Sequence, residues 1–387
     1  MQMSLPRQQI VLAYVAFVLI GAHDGAIGAL LPSMRADYRL AAAIVALLFV
    51  SQTIGYLLVS FNMGGFIARL GIRRFLAGGT LLFTVGTGVV ALHPPQWVGV
   101  LLAGIFIGSG LATLDAGLNA YLASVPNNGA ALNYLHACYG GGALLGPLVA
   151  TGLLTLHAPW NATYAVWALS GVGIALSLWS ILRVPVGVPT TDAQEVRVVA
   201  PWRLRFVASG ALFLLVYVGL EASLGSWGFS VLHEARAVPL LTAGWVISSY
   251  WGGLTLGRII LARRVGRVGE ARMITECLIG TGVGIALAVL IPNGVGTSIA
   301  LPIIGFFLGP IFPTMIALAS QRIPARMLAG SIGFLTSLGI TGSALVPWLA
   351  GNVIGRAGLG ALFPFALVLM VPLGIGWFAA ASAPRTA

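Results

Sequence analysis

The amino-acid sequence predicts an all-α integral membrane protein with twelve transmembrane helices, arranged as two six-helix bundles that are parallel repeats of each other. Three observations support this prediction: the composition, the length of the apolar segments and an internal repeat. Hydrophobic residues make up 58% of the 387 residues, charged residues only 7%, and the mean hydropathy is +0.99. Soluble domains carry about 25% charged residues, so the composition excludes an ordinary soluble protein.

The apolar segments have the length that a membrane span requires. A helix needs about 20 apolar residues to cross the hydrocarbon layer. Twelve such segments follow one another without a soluble domain between them: 8–32, 40–62, 74–92, 96–124, 129–156, 161–183, 206–232, 240–262, 271–291, 294–321, 326–352 and 359–381. The weakest boundary separates the ninth and tenth spans, at IPNGVGTS (291–298). One arginine precedes the first span, and no clear signal-peptide cleavage site comes after it. We therefore expect the first span to remain uncleaved.

An internal repeat divides the chain into two halves. The longest polar connection, residues 184–205, separates an N-terminal bundle (1–183) from a C-terminal bundle (206–387). GALLGPLVA (142–150) and GSALVPWLA (342–350) share Gly, Leu, Pro and Ala at the same positions. Matches at equivalent places in the two halves indicate a duplicated six-span unit, and the substrate site is then expected between the bundles near the midplane.

The charge distribution predicts how the chain lies in the membrane. The formal net charge is +11, and the basic residues are scattered arginines rather than one basic face, which excludes nucleic acid as a partner. With the N-terminus inside, sixteen arginines lie on the cytoplasmic side, and four lie outside: Arg35, Arg39, Arg236 and Arg356. Since cytoplasmic loops are enriched in basic residues, we expect a monomeric, multi-pass protein of the plasma (inner) membrane with both termini cytoplasmic.

Residues that would support catalysis are missing from the sequence. Cys138 and Cys277 lie in apolar segments, where small buried residues are common, and two cysteines make no metal set or disulfide framework. Neither a Ser/His/Asp set, an HExxH motif nor a phosphate-binding G-x-x-x-x-G-K-[ST] motif occurs. We therefore expect no enzyme, no ATP drive and no cofactor; a membrane enzyme or receptor is the rival class that these observations disfavour.

The stretch GGFIARLGIRR (64–74), which also parallels GRIILARRVGR (257–267), carries a resemblance to a known family. It resembles the signature G-x-x-x-D-R-x-G-[RK]-[RK] between the second and third helices of the major facilitator superfamily. The chain has Ala68 where the superfamily has the Asp that helps to lock the cytoplasmic gate, and Ile72 where it has a basic residue. The resemblance implies a gating role for the matching residues Gly64, Arg69, Gly71, Arg73 and Arg74.

A narrower likeness points to one branch of that superfamily. Five stretches together are similar to the fucose/glucose-type sugar–proton symporters: GAHDGAIGALLPSM (21–34), LDAGLNAYL (114–122), NYLHACYGGGALLGP (133–147), YVGLEASLGSW (217–227) and YWGGLTLGR (250–258). Members of that branch carry one acid in span 1 and one in span 4, which bear the proton and line the sugar site. Asp115 matches the span-4 acid, and Asp24 lies one helical turn before the matching position in span 1, near Gly28.

Three acids lie inside predicted spans: Asp24, Asp115 and Glu221. An ionised carboxylate in hydrocarbon is costly unless it is paired or faces water. Each is therefore a candidate for proton coupling and for substrate binding, and the alternative is a structural carboxyl, such as Asp24 paired with His23. Glu276 lies one turn after Arg272, which predicts a structural ion pair.

Other polar and aromatic residues in the spans are candidates for binding a small polar solute. They are Asn119, Asn133, His136, Trp227, Tyr250 and Trp251. Asn133 and His136 share one helical face, where an amide and an imidazole suit hydroxyl groups. The aromatic rings suit stacking on a sugar, although aromatic residues in spans also pack or lie at the interface. Arg258 closes span 8, which predicts gating or snorkelling.

The sequence thus predicts a secondary active transporter that works by alternating access. The favoured function is proton-coupled uptake of a monosaccharide or similar small polar solute through Asp115 and Asp24, with Na⁺ as the other possible coupling ion. Proton-coupled drug or metabolite efflux by an antiporter, and uniport, are the alternatives within transport.

Overall fold

A computed structural model describes residues 7–123, 129–182, 202 and 204–383. Within these residues the chain is almost entirely helical, and eleven helical segments are long and apolar enough to cross a membrane. Another helix, Leu240–Val268, has 29 residues, but its tryptophans, tyrosine, serines and glycines lower its mean hydropathy. All twelve predicted spans therefore occur as helical segments, and the predicted all-α membrane class is confirmed.

In chain order the helices are α1 (Arg7–Asp37), α2 (Ala42–Val45), α3 (Leu47–Leu70), α4 (Ile72–Ala91), α5 (Trp97–Ala123), α6 (Gly129–Thr155), α7 (Ala162–Ile181), α8 (Arg205–Ser230, continued by a π-helical turn, Val231–Ala235), α9 (Leu240–Val268), α10 (Glu270–Leu290), α11 (Gly294–Leu308), α12 (Ile311–Arg322), α13 (Ala325–Ala357, followed by a 3₁₀ turn, Leu359–Ala361) and α14 (Leu362–Ala381).

The chain divides into two compact units, Met1–Arg39 with Leu47–Gln194, and Leu40–Ala46 with Glu195–Ala387. Residues 40–46 group with the second unit because α2 packs on α13, whereas the sequence placed them in the N-terminal bundle. Most of the predicted linker, 184–205, lies outside the described residues.

Each unit has the same internal pairing of helices. In the first unit α1 packs on α6, α5 packs on α3 and α4, and α7 packs on α4 and α1. In the second unit α8 packs on α13, α11 packs on α9 and α10, and α14 packs on α10 and α8. Helix for helix the pattern is the same, which agrees with the predicted duplication of a six-span unit.

Glycines allow the tight contact between α1 and α6. Four of them line this contact: Gly21, Gly25, Gly142 and Gly146. A Cβ atom at Gly142 would collide with the carbonyl group of Val18, and one at Gly21 with the carbonyl group of Tyr139. Because lipid provides no hydrophobic drive between helices, small residues that permit close backbone packing stabilise such pairs. The contact brings α6 against the part of α1 that carries Asp24.

The stretch GGFIARLGIRR is not the loop that the sequence predicted between the second and third spans. Helix α3 continues to Leu70 and α4 begins at Ile72, so only Gly71 interrupts the helical path, with φ of 75°. Glycine adopts this left-handed conformation without a steric penalty. Gly269, with φ of 82°, makes the same single-residue turn between α9 and α10.

The tenth predicted span is a broken helix. Helix α11 ends at Leu308 and α12 begins at Ile311, because Pro310 cannot continue the hydrogen-bonding pattern of α11. The boundary before α11, the weakest in the sequence, is confirmed: the side chain of Asn293 caps α11 by accepting a hydrogen bond of 2.8 Å from Gly296 N. The break leaves backbone carbonyl groups available to side chains.

Candidate functional site

Asp115 on α5 lies in a hydrogen-bonded cluster inside the first unit. The hydroxyl group of Tyr56 on α3 donates to its Oδ2 at 2.6 Å, and Asn119 Nδ2 donates to its Oδ1 at 3.0 Å. The same Asn119 amide also lies 2.9 Å from the Asp115 carbonyl oxygen. Two donors therefore hold this half-buried carboxyl in one orientation, and Asn119, predicted to bind substrate, contacts the acid itself.

Asp24 on α1 is partly exposed. Its side chain is 34% exposed, and the Tyr139 hydroxyl donates to its Oδ2 at 3.1 Å. His23 Nδ1 lies 3.1 Å from Oδ1. His23 is buried, at 1% exposure, with its ring edge-on to Phe83, so it points into the unit while Asp24 is open to solvent.

The fold gathers further polar groups around the Asp115–Tyr56 pair. Asp24 and His136 lie near Asp115, and Asp24 and Tyr139 lie near Tyr56. These groups come from four different helices of one unit. A cluster of two carboxyls, one imidazole and two phenols offers several sites for a proton within a short distance.

His136 and Asn133 both have exposed side chains on α6. The His136 ring lies edge-on to Phe17 on α1, with ring centroids 5.8 Å apart. Their common exposure agrees with the face that their spacing predicts.

Glu221 on α8 is the candidate acid of the second unit. Its Oε2 lies 2.5 Å from the Tyr217 hydroxyl oxygen, which in turn lies 2.9 Å from the carbonyl oxygen of Leu308 at the break after α11. The Tyr250 hydroxyl donates to the Glu221 backbone carbonyl at 2.8 Å. The charge of Arg258 also acts on Glu221.

Arg258 and the aromatic candidates differ in the hydrogen bonds that their polar atoms make. Arg258 Nε donates to the Gly309 carbonyl at 3.0 Å, so one of its donors binds at the helix break, and its gating or snorkelling role stays a prediction. Trp227 is fully buried and its indole N–H donates to the Pro347 carbonyl at 3.0 Å; Tyr250 is likewise fully buried. Neither ring presents a face for stacking, which corrects the predicted role.

Trp251 is the remaining aromatic candidate. It is 8% exposed, and its ring packs against that of Tyr250 at 5.2 Å. Among the described residues its indole Nε1 has no hydrogen-bond partner. A buried donor without an acceptor is costly, so the indole N–H of Trp251 marks a position where a polar partner would be stabilising.

Among the described residues, the predicted gating residues make no contact that identifies a gate. Arg69 and Arg74 are exposed, and nothing lies within 4 Å of a Cβ atom built at Gly64 or Gly71. Arg73 donates to the carbonyl oxygen of Trp179 on α7, and its guanidinium group stacks 4.9 Å from the Trp179 ring. With Ala68 in place of the carboxylate, the gating role stays a prediction.

Sequence reasoning missed the tyrosines that organise both clusters: Tyr56, Tyr139 and Tyr217. The signal for Tyr217 is its i, i+4 spacing to Glu221. Tyr56 and Tyr139 are remote in sequence from the acids they bind, so only the tertiary structure reveals them. The predicted ion pair is confirmed, with Arg272 Nε 3.0 Å from Glu276 Oε1. No group of three metal-ligating side chains occurs among the described residues.

Comparisons with known proteins identify the family. Residues 13–346 match the model of the Major Facilitator Superfamily. Bypass of stop codon protein 6 of Saccharomyces cerevisiae is 24% identical over 395 residues, covering 92% of this chain and 78% of the yeast protein. The Glucose/galactose transporter of Brucella abortus biovar 1 is 24% identical over 327 residues, covering 80% of this chain and 78% of the Brucella protein.

A solved structure shows the same fold. The crystal structure of a mutant of the nucleoside transporter NupG superposes with a TM-score of 0.82 at 12% identity, over 97% of this chain and 100% of that chain. The chain belongs to the Major Facilitator Superfamily, as its motifs indicated. It is a multi-pass membrane protein and a secondary transporter of small molecules rather than an enzyme.

Proposed function

We propose that this protein imports a monosaccharide, or a similar small polar solute, together with a proton, by alternating access. The observation that carries the proposal is the cluster in the first unit, in which Tyr56 and Asn119 bind the carboxyl group of Asp115 and Tyr139 binds that of Asp24. Acids inside membrane spans are the residues that transporters use to bind and release protons. Asp115 is the principal proton carrier, and Asp24 exchanges the proton with the solvent.

The polar groups around these acids suit a hydroxylated solute. Asn133 and His136 present exposed hydrogen-bonding groups on α6, and the indole N–H of Trp251 is an unused donor in the second unit. Sugars offer several hydroxyl groups that donate and accept. The Brucella relative, which is 24% identical to this chain, is named Glucose/galactose transporter, and this name supports the same class of solute.

A transport assay in proteoliposomes tests the proposal. Purified protein is reconstituted, an inward proton gradient is imposed, and the uptake of radiolabelled glucose, galactose and a nucleoside is measured. We expect one sugar to accumulate against its gradient, and a protonophore to abolish the accumulation. Asp115→Asn should abolish accumulation but preserve exchange of labelled for unlabelled sugar, whereas Glu276→Gln, a change in the surface ion pair, should leave both intact.

The other outcomes contradict separate parts of the proposal. Accumulation that requires Na⁺ instead of a proton gradient contradicts the proposal that the proton is the coupling ion. Accumulation that survives in Asp115→Asn contradicts the proposal that Asp115 carries the proton. Equilibration without accumulation indicates a uniporter. The absence of sugar uptake together with proton-driven extrusion of a fluorescent dye indicates the efflux antiporter.

The orientation of the chain is also a proposal. The excess of arginines in one set of connections supports cytoplasmic termini in the plasma (inner) membrane. A C-terminal reporter enzyme that is active only in the cytoplasm tests the orientation, and light scattering of the purified protein tests whether it is a monomer. A reporter active only outside the cytoplasm, or the mass of a dimer, contradicts these expectations.

A further inference from the structure

The hydroxyl group of Tyr217 has one proton and two close acceptors. Its oxygen lies 2.5 Å from Glu221 Oε2 and 2.9 Å from the carbonyl oxygen of Leu308. A backbone carbonyl cannot donate, so the two contacts are either one three-centre bond that shares the Tyr217 proton or two full hydrogen bonds, and two full bonds need a second proton from the carboxyl group. In the arrangement with two full bonds Glu221 donates to Tyr217, and Tyr217 donates to Leu308.

The surroundings of Glu221 agree with a carboxyl that is protonated. Its backbone carbonyl is engaged by Tyr250, and among the described residues no cation lies within ion-pairing distance of its side chain. Arg258 lies nearby, and its Nε donates to the Gly309 carbonyl at 3.0 Å. A charge in a transmembrane bundle without a direct partner is costly.

We infer that Glu221 is a proton-binding site of the second unit, and that it is protonated in this conformation. The proton completes a chain from Glu221 through Tyr217 to Leu308, the last residue of α11 before the break. When the proton leaves Glu221 for water, Tyr217 donates to the carboxylate instead and the Leu308 carbonyl loses its partner. Loss of the proton therefore weakens the link between α8 and the break that separates α11 from α12.

This inference deepens the proposed function, since it places a second proton site in the transporter, but it rests on the chemistry of Tyr217 alone. Its test needs no substrate. An Asp115→Asn variant that still accumulates sugar would overturn the proposed proton carrier and leave Glu221 untouched. Ionised Glu221 would overturn this inference and leave the proposed transport untouched.

Infrared spectroscopy of the reconstituted protein tests the protonation directly. The protein is labelled with ¹³C-carboxyl glutamate, which separates glutamate bands from aspartate bands. We expect one protonated glutamate band at neutral pH, absent in Glu221→Gln and retained in the control Glu276→Gln. If wild type has no such band, or if the band survives in Glu221→Gln, the inference is wrong.

Two further variants keep the test decisive if Glu221→Gln folds poorly. Tyr217→Phe removes the acceptor of the carboxyl proton, so the protonated glutamate band should shift in frequency while the protein still contains Glu221. Tyr250→Phe removes only the bond to the Glu221 backbone carbonyl and should leave the band where it is. An unchanged band in Tyr217→Phe would show that the carboxyl group of Glu221 does not donate its proton to Tyr217, and the inference would be wrong.

Discussion

The hydroxyl group of Tyr56 on α3 donates a hydrogen bond of 2.6 Å to the carboxyl group of Asp115 on α5. The bond joins two helices that are remote in the chain, and it places a neutral donor on the acid that is proposed to carry the proton. A hydrogen bond to an ionised group stabilises the charged form. Tyr56 therefore helps to decide at which pH Asp115 releases its proton.

Tyr56→Phe should change the pH dependence of transport. Loss of a hydrogen bond to a carboxylate costs about 1.5–3 kcal/mol, and 1.4 kcal/mol corresponds to about one pH unit. The uptake profile should therefore shift by about one to two pH units. Uptake measured across a pH series checks this shift. Tyr134→Phe, at an exposed tyrosine on α6, is the control and should leave the profile unchanged.

His23 should act on Asp24 through Nδ1. His23→Asn keeps a side-chain N–H near the position of Nδ1, whereas His23→Phe keeps the ring packing against Phe83 and removes the donor. We expect the rate of uptake to remain near wild type in His23→Asn and to fall in His23→Phe, because the contact that orients Asp24 is lost. Equal uptake rates in both variants would mean that His23 only packs.

The α1–α6 contact should tolerate a methyl group at one glycine and reject it at the next. Gly142 meets the carbonyl group of Val18, while nothing lies within 4 Å of a Cβ atom at Gly141. Gly142→Ala should destabilise the protein by on the order of 2–3 kcal/mol through overpacking. Gly141→Ala should be neutral or slightly stabilising. Thermal unfolding of both purified variants checks this difference, and equal melting temperatures would contradict it.

Asp37 should stabilise the end of α1 more than an exposed ion pair does elsewhere. Its Oδ2 accepts from the buried Trp160 indole at 2.8 Å and from His93 Nε2 at 2.6 Å. Asp37→Ala leaves the indole without its acceptor and should cost about 1–2 kcal/mol, of which the half-exposed His93 accounts for a small part. Arg272→Ala, at a side chain that is 72% exposed, should cost under about 0.5 kcal/mol. Thermal unfolding compares the two, and a larger loss in Arg272→Ala would refute the ranking.

Several features of the fold were readable from local patterns. Runs of apolar residues predict the spans because the membrane imposes one length on every helix. The pair Arg272 and Glu276 was readable because its partners lie four residues apart on one helix. The turn at Gly71 was not readable, because a single glycine with positive φ is enough to separate two helices and leaves no polar stretch in the sequence.

The sequence by itself determined the membrane class, the spans, the superfamily and the identity of the acids within spans, because these depend on composition, length and local motifs. The tertiary structure alone decided which groups meet: Tyr56 with Asp115, Tyr139 with Asp24, and Tyr217 with both Glu221 and Leu308. It also decided that Trp227 lies in the packed interior. The reason is physical: hydrogen-bond partners are selected by helix packing, and packing joins residues that no spacing along the chain relates.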